Sequence, residues 1–169
     1  PLCSLYLRMA WVVDTIVKRH DNHHDDKVAI GSMHGLYSDN ENGGVVSGRK
    51  WLNTCYSAAE AMGGRIFWDA VSVHPYHSSP WAPFRPAEFE DAAETLRAIM
   101  RAHGDYGELW NTEFGMPKLC WWDSSPPSWD TVTTEAQSAD YCCEMFTTTE
   151  AMKGLPGGSF DRDYWWLLR

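Results

Sequence analysis

Glu113 closes the run Glu108-Leu109-Trp110-Asn111-Thr112-Glu113-Phe114-Gly115, and its place at the end of an apolar segment makes it the residue best suited to chemistry. The run reads as a buried strand, with Gly115-Met116-Pro117 stopping it just past the acid. Strand side chains alternate, so Leu109, Asn111 and Glu113 are predicted to share one face. A carboxylate at the C-terminal end of a strand sits where α/β folds build their sites, and it can act there as nucleophile or proton carrier. A second apolar run, Phe67-Trp68-Asp69-Ala70-Val71-Ser72-Val73-His74-Pro75-Tyr76, delivers His74 and Tyr76 at the same kind of end. His34 ends a third such run, Val28 to His34, and is a weaker candidate.

The elements that hold these residues alternate in type. Leu5, Met9, Val12, Ile16, Val13 and Val17 fall on one helical stripe, so residues near 4 to 20 are predicted to form an amphipathic helix with that stripe turned inward. The strand from Val28 follows. Trp51, Leu52, Cys55, Tyr56, Ala59 and Met62 mark a second helix closed by Gly63-Gly64, ahead of the strand near 67 to 74. Past a Pro-rich loop from Pro75 to Pro86, the residues Phe89, Ala92, Ala93, Leu96, Ile99 and Met100 mark a third helix, which ends at His103-Gly104 and feeds the strand of Glu113. A loop rich in Trp and Pro leads to Thr134-x-x-Gln137, a capping box opening a fourth helix to about Lys153, and Tyr164-Trp165-Trp166-Leu167-Leu168 reads as a last strand. The order α, β, α, β, α, β, α, β is that of helical crossovers between parallel strands.

Taken together, D-A-V-S-V-H-P-Y followed by L-W-N-T-E-F-G resembles the sixth and seventh strands of the retaining (β/α)8 glycoside hydrolases, the clan that holds cellulases, mannanases and β-xylosidases. The resemblance implies a fold class of α/β, the C-terminal half of a (β/α)8 TIM barrel with strands five to eight, residues 1–169 being one partial catalytic domain. A complete barrel usually takes about 250 residues, so a chain of 169 is too short to be one. It implies hydrolysis of β-linked glycans by double displacement, with Glu113 as nucleophile. The acid/base of the clan ends strand four in an Asn-Glu motif, and the resemblance puts strand four upstream of this chain. His74 and Tyr76 would line the subsite where the bond breaks, supplying the mixed donors and acceptors that sugar hydroxyls need. Trp165 and Trp166 match the aromatic position that floors the sugar subsite; period two lets only one face inward, and the sequence does not say which. Asn111 stands where the family usually has an aliphatic residue.

Composition narrows the alternatives. The chain is 44% hydrophobic and 14% aromatic, enough for one sizeable core, and its formal charge of −9 gives no footprint for nucleic acid or an anionic membrane. The partners implied are a carbohydrate substrate and the missing N-terminal half of the barrel. Half a closed barrel leaves open strand edges, so the isolated chain is expected to dimerise or aggregate. Pro1 to Arg8 is not a signal peptide, and the sequence leaves localisation, secretion included, open. Five cysteines without a C-x-x-C pair fit buried thiols better than zinc or a disulfide framework. The run His20 to Asp26 lies on the face opposite a barrel's site and reads as a polar turn, so no metal is predicted. Gly43-Gly44 and Gly157-Gly158 lack the context of phosphate loops, and no cofactor is predicted. Ten tryptophans suit a glycan cleft, including Trp121, Trp122 and Trp129 in the loop after Glu113. Two rivals remain: a non-catalytic carbohydrate-binding or pseudoenzyme remnant of the same fold, and a doubly wound α/β domain of unrelated function.

Overall fold

A computed structural model describes residues 2–19, 25–33, 47–75, 85–114, 134–153, 155, 158 and 160–165, with the side chains of 135, 138 and 165 outside the description. Eight elements follow in chain order: α1 (Leu2–Arg19), β1 (Ala29–Met33), α2 (Gly48–Ala61), β2 (Ala70–Val73), α3 (Pro86–Ala102), β3 (Glu108–Phe114), α4 (Glu135–Met152) and β4 (Arg162–Trp165). Helices α2, α3 and α4 begin where the sequence supplies a start. The Ser47 hydroxyl accepts from the Lys50 amide ahead of α2, Pro86 opens α3, and Thr134 and Gln137 satisfy each other's backbone donors in a full capping box ahead of α4.

The four strands form one sheet in the order β1-β2-β3-β4, every pair parallel. A doubly wound sheet reverses its strand order at a switch point. Here the order runs monotonically, so the doubly wound rival falls and the fold is an α/β half-barrel, an arc of four consecutive (β/α) units. The core lies between the sheet and its helices. Ile30, Val71, Val73 and Leu109 from the strands meet Leu52, Cys55 and Tyr56 of α2, Phe89, Leu96 and Met100 of α3, and Met145 of α4. Each such side chain contributes about 1.5–3 kcal/mol by leaving water. Phe89 stands between Phe114 and Phe160, with ring centroids 5.6 and 4.8 Å away, and so joins α3 to β3 and to the segment leading into β4.

At the N-terminal end of the sheet, buried Asp105 accepts from the Tyr56 hydroxyl (2.6 Å), the Trp68 indole (2.9 Å) and the Gly107 amide (2.7 Å). This satisfies the carboxylate and ties α2 to the entries of β2 and β3. Burial, reinforced by Asp105, pushes the Tyr56 phenol far above its ordinary range. The opposite face of the sheet, away from the helices, is polar. Glu108 pairs with Lys27, accepts from the Trp110 indole (2.6 Å) and lies 3.5 Å from Arg162, whose guanidinium sits 4.9 Å over the Trp110 ring. The Lys27 ammonium, ahead of the others, holds the Glu108 carboxyl below its usual range.

Three expectations change. Leu5, Met9, Val12, Val13 and Ile16 of α1 were predicted to face inward but are exposed; the helix packs through Cys3, Tyr6, Leu7, Ala10 and Asp14 instead. It sits beside the edge strand β1 with α2 as its helical neighbour, and so has one flank to bury. The final strand begins at Arg162 instead of Tyr164. Of the described cysteines only Cys55 is buried, while Cys3 and Cys142 are half-buried and Cys143 is exposed. Among the described residues, no helix is long and apolar enough to cross a membrane.

Candidate active site

His74 follows the last residue of β2 and Glu113 is the penultimate residue of β3, so neighbouring parallel strands bring both to the C-terminal edge of the sheet. The His74 Nδ1 and Glu113 Oε2 atoms are 3.7 Å apart, with side chains 20% and 32% exposed. That separation exceeds a hydrogen bond. At that distance the imidazole, when it carries a proton, acts on the carboxylate through charge and not through a hydrogen bond.

The backbone beneath is fixed in three ways. The His74 amide donates to the Met33 carbonyl at 2.7 Å, locking the tip of β2 to β1. Ser72 and Thr112 share a hydrogen bond of 2.6 Å between their hydroxyls, joining β2 to β3 one step below the pair. Asn111, fully buried, donates to Asp163 of β4 at 3.0 Å and rests against the Met145 sulfur at 3.5 Å.

Above Asn111 the pairing of β3 with β4 slips: Asn111 stands opposite Asp163 and Phe114 opposite Trp165, so β3 holds one residue more than its partner. This is a β-bulge, a device that re-aims a side chain at a strand end. Asn111 and Phe114 both face the helices, through Met145 and Phe89. The extra residue takes Glu113 out of step with Leu109 and Asn111, which corrects the predicted sharing of one face. A second bulge interrupts β1, where Ser32 is extra between Gly31, opposite Ser72, and Met33, opposite Val73. The end of the sheet that carries the pair is thus the end where two of its four strands are bulged.

Tyr76, His34 and Trp166, with Trp121, Trp122 and Trp129, lie outside the described residues. Trp165 is placed by its backbone, opposite Phe114 and so level with the tip of β3. Among the described residues no cluster of three or more His, Cys, Asp or Glu could hold a metal ion. Sequence reasoning missed the supports Ser72, Thr112 and Asp163. For Ser72 and Thr112 the signal was a polar residue inside an apolar strand, the same signal that left Asn111 unexplained, whereas Asp163 preceded the strand as predicted.

Burial pushes the Asp163 carboxyl above its ordinary range, against the hydrogen bond from Asn111 and the charge of Lys153. A raised acid binds its proton more tightly folded than unfolded, so stability falls as pH rises from the ordinary Asp value, about 4, through the raised one. Asp163→Asn keeps an acceptor for Asn111 and is expected to raise Tm at pH 7 by a few degrees and flatten its decline between acid and neutral pH. Thermal unfolding across a pH series tests this; a variant with the parent's slope would refute it.

Fold and strand-end pair together define a half-barrel of the (β/α)8 type with a carboxylate–imidazole pair at its C-terminal rim. No protein-family model matches the chain, and no curated protein matches it in sequence. Among solved structures, a β-glucuronidase from an uncultured Clostridium species aligns with 94% of this chain and 29% of its own, at a TM-score of 0.42 and 12% identity. This chain therefore spans less than a third of the length of that one.

Proposed function

We propose that the chain is the C-terminal half of a retaining glycoside hydrolase acting on β-linked glycans by double displacement. The observation that carries this reading is the placing of Glu113 3.7 Å from His74 at the C-terminal edge of a sequentially ordered parallel sheet, joined to the motif resemblance of their two strands. Glu113 attacks the anomeric carbon and forms a glycosyl ester. An acid supplied by the N-terminal half protonates the departing oxygen, and the same group then takes a proton from the water that cleaves the ester. His74 and Tyr76 position the carboxylate and the sugar, Trp165 or Trp166 stacks on the ring, and His34 contacts substrate.

The test is a mechanism-based trap. In an enzyme where this chain is joined to a half bearing the acid/base, a 2-deoxy-2-fluoro glycoside with a good leaving group should leave a covalent sugar on the peptide containing Glu113. Label on another carboxylate would overturn the assignment. Glycan binding with neither label nor turnover would establish the non-catalytic carbohydrate-binding reading in its place.

A further inference from the structure

Beneath the Glu113–His74 pair, two hydroxyls meet on the face of the sheet turned away from the helices. Val71, Val73, Leu109 and Asn111 point into the layer shared with the helices, so by alternation Ser72 and Thr112 point to the opposite side, the side of His74. Their oxygens are 2.6 Å apart. Ser72 is 5% exposed and Thr112 half-buried, so water competes little for this bond. The bond also has a direction. Thr112 Oγ1 lies 3.4 Å from the Val73 carbonyl, which can only accept; the Thr112 proton goes there, and Ser72 donates to Thr112. On its other flank Ser72 is pressed against β1, where Gly31 stands opposite it and a Cβ would come within 2.3 Å of the Ser72 carbonyl oxygen. Ser72 is therefore a fixed anchor, and Thr112 is the group it holds.

What Thr112 secures is the bulge. Thr112 and Glu113 together stand opposite the single residue Tyr164 of β4, between the pairs Asn111–Asp163 and Phe114–Trp165. An extra residue disrupts the ladder on that side. On the other side the register of β2 with β3 ends at Val73–Asn111, one residue short of Thr112. The hydroxyl bonds carry the attachment of β3 to β2 one step further, to the residue from which Glu113 springs.

We infer that Ser72 and Thr112 are positioning residues for the nucleophile: their bond pins the first residue of the bulge to β2 and so directs the Glu113 carboxylate toward His74 and the sugar carbon. The inference rests on the glycosidase reading of Glu113. Neither hydroxyl touches substrate, and both act through the backbone at Thr112. Misplacing a reacting group by about 1 Å can cost about a hundredfold in rate, so a loosened bulge shows in turnover before it shows in binding.

The test uses the enzyme in which this chain is joined to the half bearing the acid/base, with the 2-deoxy-2-fluoro glycoside as probe. Thr112→Val keeps the branched shape, removes the hydroxyl and leaves that of Ser72 buried without its acceptor. It is expected to slow labelling of Glu113, and kcat with it, by about 10- to 100-fold while KM stays within about threefold of the parent. Thr112→Ser, which keeps the oxygen, should recover most of the loss. Ser72→Ala should repeat the effect of Thr112→Val, and the double variant should fall no further than the worse single one, because both changes remove the same bond. Should Thr112→Val fail to fold, as judged by far-ultraviolet dichroism, Ser72→Ala carries the same measurement. Labelling of Glu113 at the parent's rate in either variant would overturn the inference alone. So would a loss confined to KM, a Thr112→Ser enzyme no better than Thr112→Val, or single losses that multiply in the double variant. Label away from Glu113 in the parent would instead overturn the glycosidase reading, and this inference with it.

Discussion

Glu113→Gln is expected to lower glycan hydrolysis by several orders of magnitude in an enzyme assembled with the half that carries the acid/base, while substrate affinity changes little. The amide keeps the shape of the side chain and its place 3.7 Å from His74, but it cannot attack the anomeric carbon. Since the loss falls on the transition state, it should appear in kcat, with KM near that of the parent. A variant that retained more than about a tenth of the turnover, a deficit of only some 1.4 kcal/mol, would exclude Glu113 as nucleophile. His74→Ala gives the companion measurement. A smaller loss is expected there, because the imidazole acts through the carboxylate's charge and not by bonding to the sugar carbon.

The second large effect concerns stability and lies at Gly31. A Cβ atom at this position would stand 2.3 Å from the Ser72 carbonyl oxygen of the neighbouring strand, and the backbone has φ of +118°, which side chains of L-residues rarely allow. The obstacle is backbone within the sheet and cannot swing aside. Gly31→Ala is therefore expected to cost more than about 3 kcal/mol and to separate the ends of β1 and β2. Urea denaturation would show this as a fall in midpoint, and a loss below about 1 kcal/mol would show that the bulge relaxes without breaking the pairing. Ser32, the next residue, has φ of +70° and an exposed side chain. Ser32→Gly relieves a strained position and should be neutral or stabilising, which separates the steric demand at Gly31 from a general intolerance of change in β1.

Much of the architecture could be read from residue order, because each element announces itself locally. The stripe Phe89, Ala92, Ala93, Leu96 and Met100 is the buried face of α3, the Thr134–Gln137 box opens α4, and the apolar runs at Val71 and Leu109 are adjacent strands. The meeting of Glu113 with His74 was also legible, since strand ends are recognisable in sequence and parallel strands set their C-terminal ends side by side. The bulges were not. A bulge depends on the number of residues in one strand relative to its partner, and neither strand reveals that alone; alternation counted from Leu109 therefore put Glu113 on the wrong face. The exposure of the α1 stripe was equally hidden. Periodicity says that Leu5, Met9 and Ile16 share a face but not whether the chain owns anything to set against it. Asn111 looked anomalous in a strand because its acceptor, Asp163, lies on a different strand that the sequence places far away.

The monotonic strand order also has a kinetic meaning. The principal contacts join β1 to β2, β2 to β3, β3 to β4, and each helix to the next. Among the described elements none has to wait for a distant stretch of chain before it can dock, so the entropy of closing loops is met in small steps. Such a chain can add one unit at a time as it leaves the ribosome, each new strand finding its template already in place. The same nearest-neighbour logic makes damage local: loss of the last unit would strip the partner from β3 and leave the seam between β1 and β2 intact, a behaviour closer to a repeat array than to an all-or-none globule.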